Sequence, residues 1–325
     1  MSFPQRRLRR LRRTPALRRL VAETSLGVDD LIAPLFVREG IDEPQPISSL
    51  PGVVQHTRES LRKEVSELAD LGVGAVILFG VPERKDPEGS GAWDPDGIVQ
   101  LALGDLRREV GDAMVLMADL CLDEYTSHGH CGIVTPDGEV DNDATLDLYA
   151  QVAVAQAEAG ADVVAPSGMM DGQVMAIRDA LDEADFPTVS VMAYAAKFAS
   201  ALYGPFRDAV DVTIEGGGDR KAYQQDYRNP REAMEEIRAD LSEGADILMV
   251  KPAVTYLDVI ARARAEVDVP LAAYHVSGEY SMIKAASERG WIDGAAIALE
   301  QLTAVKRAGA DVILTYLARE LAETL

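Results

Sequence analysis

The sequence predicts an α/β fold, a (β/α)8 barrel, on three observations. The first is a repeated junction. Ala159-Gly160-Ala161-Asp162 precedes Val163–Pro166, Glu243-Gly244-Ala245-Asp246 precedes Ile247–Val250, Ala308-Gly309-Ala310-Asp311 precedes Val312–Leu314, and Leu71-Gly72-Val73-Gly74 precedes Ala75–Leu78. Each time a helical pattern closes on a glycine and a two-residue turn enters an apolar run, as at the αβ junction of a repeated βα unit. The second is the number of such runs: eight, at 31–37, 73–79, 114–122, 162–167, 188–194, 247–252, 270–276 and 311–316, with helical patterns between them. Short runs of this kind read as strands buried on both faces, as in a parallel sheet. The third is that no Gly-rich phosphate fingerprint follows the first run, which weighs against the doubly wound open sheet, the main alternative.

In chain order, Leu31–Val37 is the first strand, followed by a loop rich in Pro, Ser and Gly through Pro51-Gly52. Thr57 or Ser60 caps a helix with Leu61, Val65, Leu68 and Leu71 on one face, and Gly72 ends it. A polar loop at 82–97 precedes a helix at about 98–110, and a loop carrying both cysteines leads to a helix at about 143–159. Pro187 and Pro270 stand at strand starts, where a missing N–H is tolerated. No domain boundary is evident. The expectation is an N-terminal arm over 1–30 and one barrel domain over 31–325.

The formal net charge is −22. Residues 1–20 hold eight arginines and no acid, so the rest of the chain carries −30. Such a body repels nucleic acid and anionic membranes, which excludes both as expected partners. Its most economical reading is a solvated acidic surface, one suited to high salt. The start, Arg6-Arg7-Leu8-Arg9-Arg10-Leu11-Arg12-Arg13, fits a nucleic-acid arm, a transit peptide or an arm lying on an acidic neighbouring subunit. The interleaved leucines and the acidic body favour the last. No run approaches the ~18 apolar residues of a membrane span, and no apolar stretch follows the arginines as in a signal peptide. A cytoplasmic location is expected. Two cysteines, Cys121 and Cys131, make no disulfide framework.

In a barrel of this kind chemistry sits at the C-terminal strand ends. That rule selects Asp119, Cys121 and Asp123 after strand three, Ser167 after four, Tyr194 and Lys197 after five, Lys251 after six, His275 and Ser277 after seven, and Tyr316 after eight. Lysine at the end of a buried strand is desolvated, which disfavours the ammonium and makes the amine a nucleophile near neutral pH. Taken alone, Lys251 reads as a lysine snorkelling to solvent. A second lysine, Lys197, after the neighbouring strand changes the balance, because two adjacent ammonium groups cannot both stay charged cheaply. A neutral lysine adds to a ketone or aldehyde to give a Schiff base. Asp119-Leu120-Cys121-Leu122-Asp123, with His128, His130 and Cys131, offers soft and hard metal ligands. Alternation along the strand puts 119, 121 and 123 on one side, and Cys121, Asp123 and Cys131 suffice for a three-ligand zinc site with an open position. The blander reading is buried free cysteine beside ordinary loop histidines. The stretch from Tyr203-Gly204-Pro205-Phe206-Arg207 through Gly216-Gly217-Gly218-Asp219-Arg220 to Gln224 reads as a lid closing over an anionic substrate, or as a solvated loop.

Several long motifs carry a resemblance. Ser190–Ser200 (SVMAYAAKFAS) with Tyr203–Arg207, Met249-Val250-Lys251-Pro252, Tyr274-His275-Val276-Ser277-Gly278-Glu279, Tyr125-Thr126-Ser127-His128-Gly129-His130, and Pro166-Ser167 with Met169-Met170-Asp171-Gly172 resemble the porphobilinogen synthase (5-aminolevulinate dehydratase) family. The match runs from the arginine-rich start to Tyr316. The resemblance implies asymmetric condensation of two 5-aminolevulinate molecules to porphobilinogen, an early step of tetrapyrrole (haem) biosynthesis. It implies a Schiff base at Lys251 with the substrate that becomes the propionate side and one at Lys197 with the second substrate. Asp119 and Ser167 would assist proton transfer and positioning. Arg207, Arg220 and Gln224 would hold one carboxylate and Ser277 with Tyr316 the other, with Tyr203 and Phe206 in the substrate site. It further implies a homo-octamer whose arms embrace neighbours, zinc at Cys121, Asp123 and Cys131, and an allosteric magnesium at Glu236, for which the blander reading is a helix-surface glutamate. Two residues depart from the family pattern: Asp123 stands where zinc-type members have the middle of three cysteines, and Gly168 where the family usually has an aspartate. A carboxylate for a thiolate makes the metal site harder. The remaining alternatives are a class I aldolase-like lyase using one lysine and a catalytically silent barrel scaffold.

Overall fold

In the computed structural model, which describes residues 2–214 and 218–325, the predicted runs form eight parallel strands. They are β1 (Leu31–Arg38), β2 (Ala75–Val81), β3 (Val115–Leu120), β4 (Val163–Pro166), β5 (Ser190–Lys197), β6 (Ile247–Lys251), β7 (Leu271–His275) and β8 (Val312–Thr315). Each pairs with the next, and β8 pairs back to β1 through Leu31 opposite Ile313, closing the barrel. Almost every strand residue is buried, which is why the sequence shows runs rather than alternation. Helices at Arg58–Asp70, Ile98–Val110, Asn142–Glu158, Gln173–Glu183, Pro230–Ser242, Leu257–Glu266 and Gly294–Ala308 form the outer layer. Thr57 is the first of these caps, its hydroxyl accepting from Ser60 N at 3.0 Å.

The repeated junction has a uniform cause. Gly72, Gly160, Gly244 and Gly309 all have positive φ, from +83° to +125°. The next residue's N–H reaches back five residues in each case: Val73 to Leu68 O, Ala161 to Gln156 O, Ala245 to Asp240 O and Ala310 to Val305 O, at 3.0–3.4 Å. This is the Schellman closure, which needs a left-handed residue and so glycine. The aspartate that follows has its own use. Asp162, Asp246 and Asp311 each accept, at 2.8 Å, the first inward N–H of the neighbouring strand: Leu116, Val191 and Leu271.

Three strands have a boundary displaced by two residues or more from expectation, and two of these matter. β2 runs two residues later than predicted, because Val73-Gly74 belong to the turn. β5 continues to Lys197, so that lysine is the last strand residue rather than part of a following loop. β3 stops at Leu120, so strand alternation does not orient Cys121 and Asp123; the turn that follows does. Three short pairings were not anticipated: Val54–His56 on β1, Gln45–Pro46 antiparallel to Val54–His56, and a ribbon of Ile133–Val134 with Val140–Asp141.

Residues 2–30 contain no buried side chain; burial begins at Leu31. A 3-10 turn (Leu8–Arg12) and a helix (Pro15–Leu20) leave Leu8, Leu11 and Leu20 exposed. No helix among the described residues is long and apolar enough to cross a membrane.

Candidate active site

Register sets the centre of the site. β5 and β6 pair with Lys197 opposite Lys251, both at the C-terminal end of their strands. Both are almost wholly buried, 4% and 5% exposed, so neither snorkels. Lys251 Nζ lies over the rings of Tyr274 at 4.4 Å, Tyr194 at 5.0 Å, Tyr203 at 5.2 Å and Phe206 at 5.3 Å. Burial, reinforced by the charge of Lys197, takes its pKa down to about 7. The rings are attractive to a cation, yet desolvation outweighs them. Lys197 Nζ donates to the Ser167 carbonyl, which anchors it toward β4.

Asp119, one residue before the end of β3, faces both lysines. Burial pushes its carboxyl up to about 6 against the pull of Lys197 and Lys251. Its Oδ2 accepts from Ser167 Oγ at 3.0 Å, and its Oδ1 is buried without a hydrogen-bond partner among the described residues. An acid, two amines and a hydroxyl therefore share one water-poor chamber. Its walls include Tyr203, Phe206, Arg207, Arg220 and Gln224. This arrangement can hold a ketone against an amine and pass a proton between lysine, carboxyl and substrate.

The residues of the expected lid pack against the chamber. Tyr203 precedes a short helix, Gly204–Ala209, and its hydroxyl donates to Phe198 O at 2.7 Å, just past β5. Arg220 is buried, donating to Asp123 Oδ2 and to Gly129 O, both at 2.7 Å. Its Nε and that of Arg207 have no partner among the described residues, leaving donors free for a carboxylate. Gly216 and Gly217 of the predicted lid lie outside the described residues. Ser277 does not face this chamber: its hydroxyl donates to Leu202 O at 3.2 Å and accepts from Phe206 N at 3.1 Å, tying the lid helix to β7. Tyr316 stands behind it, its hydroxyl 3.0 Å from that of Tyr274.

Cys121, Asp123 and Cys131 come together despite the early end of β3. One ligand atom from each lies within 4.8 Å of the others, and all three residues are buried. Two thiols and a carboxylate in that arrangement fit a divalent metal of the zinc type. Neither histidine joins them: His128 is half-buried and contacts Pro87 O at 3.0 Å, and His130 contacts the Tyr223 hydroxyl at 3.2 Å. Burial alone would raise the Asp123 carboxyl, but Arg220 and Lys197 hold it well below the usual carboxylate range. Glu236 is half-buried on the helix Pro230–Ser242, with burial and then the charges of Asp171, Glu232 and Glu243 raising its pKa. Among the described residues no three ligand atoms gather there.

Sequence reasoning missed three residues. Glu124 lines the chamber, its Oε1 buried and unpartnered among the described residues. It is one step outside the alternation that drew attention to 119, 121 and 123. Glu279 accepts from Val276 N at 2.8 Å and Val254 N at 2.7 Å, fixing the chain just beyond Lys251; its position three residues after a helix start was the available signal. Tyr149 touches the cysteine loop from the middle of the helix Asn142–Glu158, away from the strand ends that the barrel rule selects.

Comparison with known proteins agrees with this geometry. A family profile described as delta-aminolevulinic acid dehydratase matches residues 5–324. The chain is 58% identical to the delta-aminolevulinic acid dehydratase of Streptomyces coelicolor, over all of this chain and 98% of that one. It is 59% identical to that of Mycobacterium tuberculosis, over 97% and 96%. A crystal structure of the Toxoplasma gondii enzyme (porphobilinogen synthase) in complex with the reaction product porphobilinogen superposes with a TM-score of 0.96 at 45% identity, covering 99% of this chain and 92% of that one. The chain belongs to the delta-aminolevulinic acid dehydratase family.

Proposed function

We propose that this chain condenses two molecules of 5-aminolevulinate asymmetrically into porphobilinogen with loss of water, as a lyase of tetrapyrrole biosynthesis acting through two lysine Schiff bases. The observation that carries the reading is the register pairing of Lys197 and Lys251 beside Asp119 in a buried chamber. A pKa of about 7 leaves a large fraction of Lys251 as free amine at neutral pH. That amine adds to the ketone of one substrate; the carbinolamine then loses its oxygen as water, with a proton supplied by a neighbouring acid. Lys197 does the same for the second ketone. Asp119, near 6, takes and returns protons in this range, and Ser167 Oγ holds its carboxyl in place. The free donors of Arg207 and Arg220, with Gln224, suit one substrate carboxylate. Tyr203 and Phe206 exclude water over Lys251. Ser277 and Tyr316 reach the other carboxylate only if the lid helix lifts, since Ser277 is engaged with it.

Cys121, Asp123 and Cys131 are the residues to hold zinc, which when bound supplies Lewis acidity at the edge of the chamber. Magnesium at Glu236 rests on the family resemblance, and the half-buried cluster with Asp171, Glu232 and Glu243 gives a negative potential that suits a cation. The exposed leucines and arginines of residues 2–30 are consistent with an arm laid on another copy in a homo-octamer, and the reaction is assigned to the cytoplasm.

The test is formation of porphobilinogen from 5-aminolevulinate by purified protein, with borohydride added to trap imines. Product, and a substrate adduct at Lys251 and Lys197, are expected. Absence of product under all metal and salt conditions would sink the assignment. Adduct at Lys251 alone, with Lys197→Met retaining most activity, would point to a one-lysine lyase instead.

A further inference from the structure

We propose that Tyr149 and Gly168 form one positioning device for the Cys121–Asp123–Cys131 centre, in which the tyrosine hydroxyl fixes the cysteine loop and occupies the space that a side chain at 168 would need. The inference rests on the reading of that centre as a metal site.

Tyr149 is completely buried on the helix Asn142–Glu158. Its hydroxyl donates to Cys131 O at 2.7 Å and lies 3.8 Å from Cys121 Sγ, so one oxygen touches both thiol residues. Thr145, one turn earlier on the same face, accepts from Ile133 N at 3.0 Å and donates to Asp141 O at 2.6 Å. Gln156 of the same helix donates to Asp119 O at 2.8 Å. The helix therefore grips the backbone at 119, 131 and 133, on either side of both cysteines. Groups that orient a ligand from outside the coordination sphere commonly change metal affinity by ~10–100-fold when removed.

Gly168 explains how the tyrosine is accommodated. A Cβ built there would fall on the Tyr149 hydroxyl, with Cζ at 2.6 Å and Cε2 at 2.8 Å. The clash is with a ring held at 0% exposure, not with the loose end of a flexible chain. Gly168 has no positive φ to require glycine, so the space taken by Tyr149 is what requires it. The departure from the family's aspartate at 168 thus has a partner in Tyr149. Gly168 also follows Ser167, whose carbonyl receives Lys197 and whose hydroxyl supports Asp119. The device accordingly joins the metal loop to the proton-transfer end of the chamber.

The test uses full-length protein and zinc competed against a chromophoric chelator, with thermal unfolding recorded in excess chelator. Tyr149→Phe keeps the ring and removes only the hydroxyl. Its zinc dissociation constant is expected to rise ~10-fold or more, with a fall in the unfolding temperature of the metal-free protein no larger than the loss of one buried hydrogen bond gives. Gly168→Ala is expected to lower that temperature, and Tyr149→Leu to remove most of this loss when combined with it, a non-additive pair. Unchanged zinc affinity in Tyr149→Phe, or additive effects of Gly168→Ala and Tyr149→Leu on unfolding, would overturn the proposal. Wild-type protein that binds no zinc, with Cys121→Ser indistinguishable from it, would overturn the metal reading together with this one; zinc bound by wild type and lost in Cys121→Ser isolates the role of Tyr149.

Discussion

The two ends of the barrel are built on opposite plans. At the N-terminal end the same device recurs: a left-handed glycine closes a helix, and at three of the four junctions an aspartate after it accepts an N–H near the start of the neighbouring strand. At the C-terminal end the strands carry different chemistry: β3 holds a carboxylate one residue from its end, β4 stops before a serine, β5 and β6 end in lysines facing each other, and β7 ends in a histidine. Repetition marks the end that holds the molecule together, and broken repetition marks the end that does chemistry. Groups at the N-terminal end lower the folding free energy. Several at the other end raise it, because a buried amine or an acid short of partners is desolvated without full compensation. The contrast is open to test by substitution at either end.

The largest effect is expected at Lys251. Lys251→Met should lower kcat for porphobilinogen formation by ~10⁴-fold or more and abolish the borohydride-trapped adduct at that position. The same variant should be more stable than wild type. The folded pKa of about 7 lies below the ordinary lysine value of 10.5. The native state therefore bears the cost of a buried ammonium in full below pH 7, and the cost vanishes as pH rises toward 10.5. The advantage of Lys251→Met in chemical denaturation should be widest near pH 6 and close by about pH 10. A variant less stable than wild type at pH 6 would contradict the claim that this end of the barrel is strained by its chemistry.

Next comes Asp119. Asp119→Asn keeps the shape and the hydrogen bond with Ser167 but removes the titrating carboxyl, and a loss of ~10²–10⁴-fold in kcat is expected. The wild-type pH profile of kcat/KM should fall on the acid side between about 6 and 7, where Asp119 and Lys251 take up protons. Asp119→Asn should leave a single inflection, that of Lys251, moved below 7 because the carboxylate that raises the lysine is gone. A profile flat down to pH 5 would remove both groups from the proton bookkeeping.

Asp123 stands between the two plans, because it serves the site and is also half of a buried ion pair with Arg220. Asp123→Ala, measured in excess chelator so that metal plays no part, should destabilise by ~3–5 kcal/mol, since it leaves a buried guanidinium unpaired. A loss below ~1 kcal/mol would mean that Arg220 finds water or another acceptor and that the pair does not lock the lid.

How far the sequence revealed all this follows the same contrast. The N-terminal end was legible because its device repeats: four glycine junctions announce four strands. Lys197 and Lys251 were legible because a charge at the end of an apolar run breaks the pattern. The cysteine loop was legible as a set of ligands but not as geometry, since β3 stops at Leu120 and a turn, not alternation, brings Cys121 and Asp123 together. Glu124 and Tyr149 left no local signal. Their importance lies in what they touch across the fold, at separations in sequence that no periodicity spans. Ser277 shows the converse: its place at a strand end pointed to the site, while its hydroxyl is committed to the lid helix.

The smallest effect completes the comparison. Asp246 has its carboxylate on Val191 N and belongs wholly to the N-terminal end. Asp246→Ala leaves that N–H without its acceptor at the edge of the core, an expected loss of ~1–3 kcal/mol in unfolding free energy. It lies at the opposite end of β6 from Lys251, so kcat and KM should stay within about twofold of wild type, as for well-separated sites that do not couple. Asp311→Ala should cost more than Asp246→Ala, because Asp311 also pairs with Arg264 at 2.8 Å. If Asp246→Ala lowered kcat tenfold while leaving stability intact, strand β6 would be transmitting strain along its length, and the division of the barrel into a holding end and a reacting end would fail at its plainest point.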